Sequence, residues 1–160
     1  MYKRQTPDKD YAQLVDDNIY MYKPGRQGKP AEVMGVPEVL EKFQVKRPDQ
    51  VIDILGLMGD SVDNIPGIPG VGEKTAMKLI GEYDSIEGLY ENVDSLKGKL
   101  KERVESNKQQ ALDSKKLATI LLDVPVEFNP VDLEKSEPDK QRLYELFMAC
   151  LLYTSPSPRD

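Results

Sequence analysis

Four aspartates and one glycine-rich turn carry most of the chemistry this sequence can offer. Asp8 and Asp10 stand two apart, so an extended backbone would put both carboxylates on one face. Asp60 and Asp63, within Gly59-Asp60-Ser61-Val62-Asp63-Asn64, stand three apart, so a helical turn would do the same. Carboxylate oxygens are what hard divalent ions such as Mg2+ take as ligands. Two such ions about 4 Å apart stabilise both the entering and the leaving oxygen of a phosphodiester displacement. Read singly, each pair is equally what helix caps and loop acids look like. An EF-hand is excluded, because no loop has its alternating acids, central glycine and terminal glutamate.

The turn follows at once, as Gly67-Ile68-Pro69-Gly70-Val71-Gly72-Glu73-Lys74-Thr75-Ala76. Pro69 presets one turn dihedral, and the glycines allow positive φ and close approach of another backbone. A helix starting directly after the turn presents free N–H groups and the positive end of its dipole, which together hold a phosphate without a large basic patch. Lys74 and Lys78, four apart on one helix face, add charge. A Walker A loop is excluded by spacing. The plain alternative is a tight helix–helix turn that binds nothing.

Composition narrows the rest. Histidine is absent, which removes Ser-His-Asp and Cys-His catalysis and histidine metal sites. The single Cys150 leaves no internal disulfide and fits a reducing, cytoplasmic setting. Hydrophobic residues at 39% and charged residues at 31% are ordinary for a soluble domain, and no apolar run is long enough for a membrane span. The net charge of -6 argues against a surface that grips nucleic acid everywhere, but residues 97–108 hold five basic and two acidic side chains.

The elements that must position these residues are mostly helical. Tyr11 to Val15 reads as a short helical turn, and Ile19 to Tyr22 as a β-prone run stopped by Pro24-Gly25 and a polar loop, Arg26 to Pro30. Val36, Val39, Leu40 and Phe43 form the stripe of an amphipathic helix. Pro48 marks the start of the next helix, whose Val51, Ile52, Ile54, Leu55, Leu57 and Met58 leave almost no polar face. Further helices are expected over about 73–80, 85–91 (with Asp84 and Glu87 as a capping box), 97–106 and 108–121, and a last one around Leu143, Leu146 and Phe147. The expected core is Val39, Phe43, Ile52, Leu55, Leu79 and Leu117. The strand Ile19 to Tyr22 should lie at a sheet edge or beside a gap, since no partner is evident.

The order Asp8-Lys9-Asp10-x-x-Gln13-Leu14, then Gly59-Asp60-x-x-Asp63-Asn64-x-Pro66-Gly67, then the glycine hairpin resembles the flap endonuclease family, in particular the 5′ nuclease domain at the N-terminus of bacterial DNA polymerase I. The likeness runs from about Thr6 to Phe147 and includes Ser114-Lys115-Lys116-Leu117-Ala118-Thr119-Ile120. It implies an α/β, mainly helical fold: a truncated PIN-like nuclease core with a helix-hairpin-helix subdomain that tracks duplex DNA. It implies catalytic, metal-binding roles for Asp8, Asp10, Asp60 and Asp63, with two Mg2+ (or Mn2+) ions in the intact enzyme. It implies DNA contacts from Gly67, Gly70, Val71, Gly72, Lys74, Thr75 and Lys78, with K+ held by hairpin backbone oxygens in relatives. The implied activity is 5′-3′ exonucleolytic and flap-endonucleolytic cleavage of DNA in repair and primer removal, on 5′ flaps or nicked duplexes. A monomer is expected.

The family's first acidic residues and its arch would lie upstream of this chain, so the chain alone should be largely inactive. Residues 1–5 and 149–160 have the look of sequencing-adapter read-through, since MYKRQ shows no strand, helix or cap signal and the end reads LLYTSPSPRD. The expected organisation is a nuclease-core remnant over 6–35, a helical helix-hairpin-helix subdomain over 36–125, and a linker and the start of the next region over 126–148. Against the nuclease stand a non-catalytic DNA-binding module and an acidic protein-interaction domain. Four acids beside a phosphate disfavour the first, because like charges repel unless metal intervenes, and the hairpin disfavours the second.

Overall fold

A computed structural model describes residues 8–25 and 30–150, and the backbone of 2–5. These residues divide into two units, 1–122 and 123–160. The first carries the candidate site, and its fold is α/β and mainly helical.

Its sheet has three strands in the order β1 (Tyr2–Gln5), β2 (Ile19–Lys23), β3 (Glu32–Met34). β1 and β2 run parallel, with Tyr2 opposite Ile19, and a 3-10 turn over Lys9–Leu14 makes the crossover that a parallel pair requires. β2 and β3 run antiparallel, pairing Met21 with Met34, both 1% exposed. The expected edge strand is therefore central. Its partner β1 comes from MYKRQ, where the sequence offers no β signal, because ladder pairing is made by backbone groups that any residue supplies. The loop expected over Arg26 to Pro30 falls mostly outside the described residues, as do residues 151–160.

Helix α1 (Val36–Phe43) buries Val39 and Phe43, and a 3-10 turn at Pro48–Gln50 leads into α2 (Val51–Met58). α2 is the central helix, as its all-round apolar sequence requires. It packs on α3 (Glu73–Tyr83) and α6 (Lys108–Ala118). α4 (Ile86–Glu91) and α5 (Gly98–Ser106) complete the unit. The side of α6 toward α2 is small, with Ala111, Ser114 and Ala118 buried, and a Cβ on Gly56 of α2 would lie 3.0 Å from the Lys115 Cα. Leu117 sits off that stripe and is 65% exposed, so it is not a core residue. Ile52 is half-buried, while Val39, Phe43, Leu55 and Leu79 are core residues as expected.

Two helix ends differ from the sequence reading. α6 stops at Ala118 rather than near 121, because the Ile120 amide donates to Gln13 Oε1 (3.0 Å) and the chain turns extended. α4 is capped by Ser85, whose Oγ accepts from the Gly88 amide at 3.0 Å. Asp84 instead terminates α3 at φ 71°, held by Gln50 Nε2 (2.9 Å) and Arg47 Nη1 (3.2 Å). In the second unit a 3-10 turn at Pro130–Leu133 precedes α7 (Lys140–Ala149), the last expected helix.

Candidate functional site

Local backbone constraints build the acidic cluster. α2 ends at Gly59, whose φ of 72° a side chain would resist. The chain then folds back so that the Asp60 amide donates to the Ile65 carbonyl (2.8 Å) and the Ile65 amide to the Asp60 carbonyl (2.7 Å). Residues 61–64 thus form a turn closed by a backbone pair, not a turn of helix. The fold-back is locked by glycine against glycine: a Cβ on Gly59 would lie 2.5 Å from the Ile65 carbonyl oxygen, and one on Gly67 2.3 Å from the Gly59 nitrogen. On the other side, Asp8 caps the 3-10 turn by accepting from the Asp10 amide at 3.1 Å. Gln13 ties that turn to the end of α6 through the Ala118 carbonyl (2.9 Å).

The result brings Asp10, Asp60 and Asp63 together, with one carboxylate oxygen from each within 4.8 Å of the others. Asp8 caps the turn and is not one of the three. Lys9 enters the cluster instead, its ammonium 2.5 Å from Asp60 Oδ2. The Lys9 hydrogen bond holds the Asp60 carboxyl below its ordinary range, burial opposing. Burial, then the Asp8 charge, pushes Asp10 up. Asp10 Oδ1 is buried and, among the described residues, has no hydrogen-bond partner. Buried polar atoms are usually hydrogen-bonded, so a bound cation is one partner that would satisfy this oxygen. The three residues fit a divalent ion in donor type. They also lie within 4.8 Å of one another, close enough for small side-chain movements to bring all three onto one ion.

In the hairpin, Ile68 and Val71 are buried plugs, 2% and 3% exposed, and the Ile68 amide donates to the Leu57 carbonyl of α2 at 2.7 Å. Gly67 is buried too. Its N–H donates to Ser114 Oγ (3.1 Å) and its carbonyl accepts from Gln110 Nε2 (2.6 Å). Gly67 and Val71 therefore anchor the hairpin rather than face a ligand, the Val71 amide being spent on the Ile68 carbonyl (3.0 Å). Gly70, Gly72, Lys74 and Lys78 are exposed and Thr75 half-buried. Gly72 caps α3 with no side chain to offer, so the first-turn amides of Glu73 and Lys74 lack a side-chain acceptor. The carbonyls of Gly67, Ile68 and Gly70 already accept protein donors, and a K+ held there through backbone oxygens would have to share them.

Sequence reasoning missed two cations. Lys9 was visible as a base between two acids, but its partner lies 51 residues away. Arg103, inside the basic stretch 97–108, reaches the Gly70 carbonyl at 3.4 Å and packs against Gly70. Nothing local to either segment signals that pairing.

Comparison with known proteins identifies the family and the fold. Residues 46–141 match the family described as 5′-3′ exonuclease, C-terminal SAM fold. The chain is 45% identical over 141 residues to DNA polymerase I of Bacillus subtilis and 41% identical over 145 residues to that of Caldicellulosiruptor bescii. These alignments cover 88% and 89% of this chain, against 16% and 17% of those proteins. Among solved structures, T5 5′-exonuclease with bound zinc superposes with a TM-score of 0.61 at 21% identity, over 72% of this chain and 42% of that one. A T5 flap endonuclease in a pseudo-enzyme–product complex with DNA and metal ions gives 0.62 at 19% identity, with the same coverage. The chain belongs to the 5′-3′ exonuclease family, and it spans about a sixth of the length of the curated relatives it matches.

Proposed function

We propose that this chain is part of a metal-dependent 5′-3′ exonuclease and flap endonuclease acting on DNA, of the kind joined to a polymerase in DNA polymerase I. The observation that carries the reading is the convergence of Asp10, Asp60 and Asp63 from two segments 50 residues apart, with a buried carboxylate oxygen that has no partner among the described residues. Asp10, Asp60 and Asp63 would hold Mg2+ or Mn2+, and a bound divalent ion supplies charge stabilisation and an activated water for phosphodiester hydrolysis. Asp8 supports Asp10 by accepting a hydrogen bond from its backbone amide. Three carboxylates suit one ion, so the second ion of a two-ion site would draw on acids elsewhere in a longer protein. The SAM-fold match and the exposed amides at the start of α3, with Lys74, Thr75 and Lys78, support a hairpin that binds duplex DNA by its phosphates.

The remaining readings follow from the same assignment. Residues 6–35 belong to the nuclease core, 36–125 to the helix-hairpin-helix subdomain, and 126–148 to a linker and the start of the next region. The parent acts as a cytoplasmic monomer in repair and RNA-primer removal. Among the described residues no helix is long and apolar enough to cross a membrane. A non-catalytic binding module is the second reading, and the unpartnered Asp10 oxygen counts against it.

The test is cleavage of a 5′-flap substrate with Mg2+ by this chain alone and by this chain joined to an upstream half from a relative. The joined protein should cut the flap and lose that activity on Asp60→Ala, while the chain alone cuts poorly. Robust cleavage by the chain alone would show that acids outside it are dispensable. No cleavage by a folded joined protein would favour the binding module.

A further inference from the structure

Lys9 is the one cation in contact with the acidic cluster among the described residues, and its position bears on how that cluster takes up an ion. Its ammonium covers Asp60 Oδ2, while Asp60 Oδ1 accepts from the Val62 amide at 2.8 Å. An ion bound at Asp60 Oδ2 would therefore meet the Lys9 ammonium at the same oxygen. The same ammonium leaves Asp10 Oδ1 without a partner, so a single +1 charge serves only part of a cluster of three carboxylates. The Lys9 side chain is 35% exposed, against 7% for that of Asp60, so it has solvent to retreat into and Asp60 does not.

We propose that Lys9 is an intramolecular competitor for the divalent cation, holding Asp60 in place while the cluster is empty and leaving it when the ion binds. This rests on the reading of Asp10, Asp60 and Asp63 as metal ligands. Lys9 acts through Asp60 and is a positioning residue. It keeps three mutually repelling carboxylates compact without a metal, at the cost of a weaker apparent affinity for the ion. A half-exposed, charge-assisted contact of this kind offsets about tenfold in binding, equivalent to 1.4 kcal/mol.

The experiment is calorimetric titration of Mn2+ into the 160-residue chain, comparing wild type, Lys9→Met, Lys9→Gln, Asp60→Ala and, as a one-charge control at an exposed lysine of α6, Lys116→Met. Circular dichroism checks folding of each. Lys9→Met and Lys9→Gln should bind Mn2+ about tenfold more tightly and Lys116→Met less than twofold more tightly. Thermal melts supply the second readout. The Lys9 variants should melt below wild type in chelator and match it in saturating Mn2+. Wild type that binds, Asp60→Ala that does not, and Lys9 variants equal to wild type would overturn the competitor and leave the metal site standing. Equal binding by wild type and Asp60→Ala, or none by either, would overturn the metal site and the competitor with it.

Discussion

Gly70 and Gly72 look interchangeable in the sequence, yet they carry different constraints. Gly70 has φ 77° and packs against the Arg103 guanidinium, so Gly70→Val would strain the backbone and displace Arg103 at once. Gly72 has an ordinary extended backbone, φ -96°, and nothing within 4 Å of where a Cβ would stand. Gly72→Ala should therefore leave the fold intact while placing a methyl where a phosphate would approach the start of α3. We expect duplex DNA binding to fall about tenfold for every sequence tried, with an unchanged thermal melt, in a fluorescence anisotropy titration at fixed salt. Unchanged affinity in folded Gly72→Ala would remove the hairpin from the DNA interface. Binding through few phosphates also predicts a shallow salt dependence, a log–log slope of about -0.9 per contact.

Between elements, polar groups hold the helices in the arrangement that aims the site. Asp53 of α2 is buried, and its Oδ1 accepts from the Ile86 amide (3.0 Å) at the start of α4 and from Lys115 of α6 (2.7 Å). Burial pushes Asp53 up, and the Lys115 hydrogen bond opposes that. Lys115→Met would leave the buried Asp53 half-served and Glu87 without that ammonium, and urea denaturation should show a loss of about 3 kcal/mol, the low end for a buried pair because Lys115 is partly exposed. A loss below 0.5 kcal/mol would mean that the contact with Ile86 suffices. Tyr90 of α4 donates to the Val104 carbonyl of α5 (2.9 Å), and burial pushes it up to about 12. With an unfolded value near 10, the unfolded chain loses the proton first. The stabilisation is thus fully present below pH 10 and drains away as pH rises toward 12. Tyr90→Phe should flatten that alkaline loss in a pH series of thermal melts, and an identical alkaline slope in both proteins would contradict it.

At this scale the helices were legible, because α1 carries an apolar stripe with 3.6-residue periodicity and α2 is apolar all round. What was hidden followed from contacts that leave no local mark. α6 meets α2 through Ala111, Ser114 and Ala118, so bulk pointed to Leu117, which is exposed. β1 lacks β-branched residues and exists through backbone pairing with β2. The Asp60–Asp63 turn resembled a helical turn in spacing but is closed by the Asp60–Ile65 backbone pair.

For the whole molecule, the candidate site depends on joining two segments far apart in the chain. Asp8-Lys9-Asp10 and Asp60-x-x-Asp63 are short motifs, so their residue types were readable, but which of the four acids converge was not. The fold brings Asp10, Asp60 and Asp63 within reach of one ion, has Asp8 cap the turn that carries Asp10, and turns Lys9 inward. The most direct test is an electron paramagnetic resonance titration of Mn2+ with wild type, Asp8→Asn, Asp10→Asn, Asp60→Asn and Asp63→Asn. Loss of bound Mn2+ in the last three, with Asp8→Asn retaining most of it, is the expected result. Wild-type binding by Asp10→Asn would contradict a shared site, because the buried oxygen that singles out this cluster would then have no ion to serve.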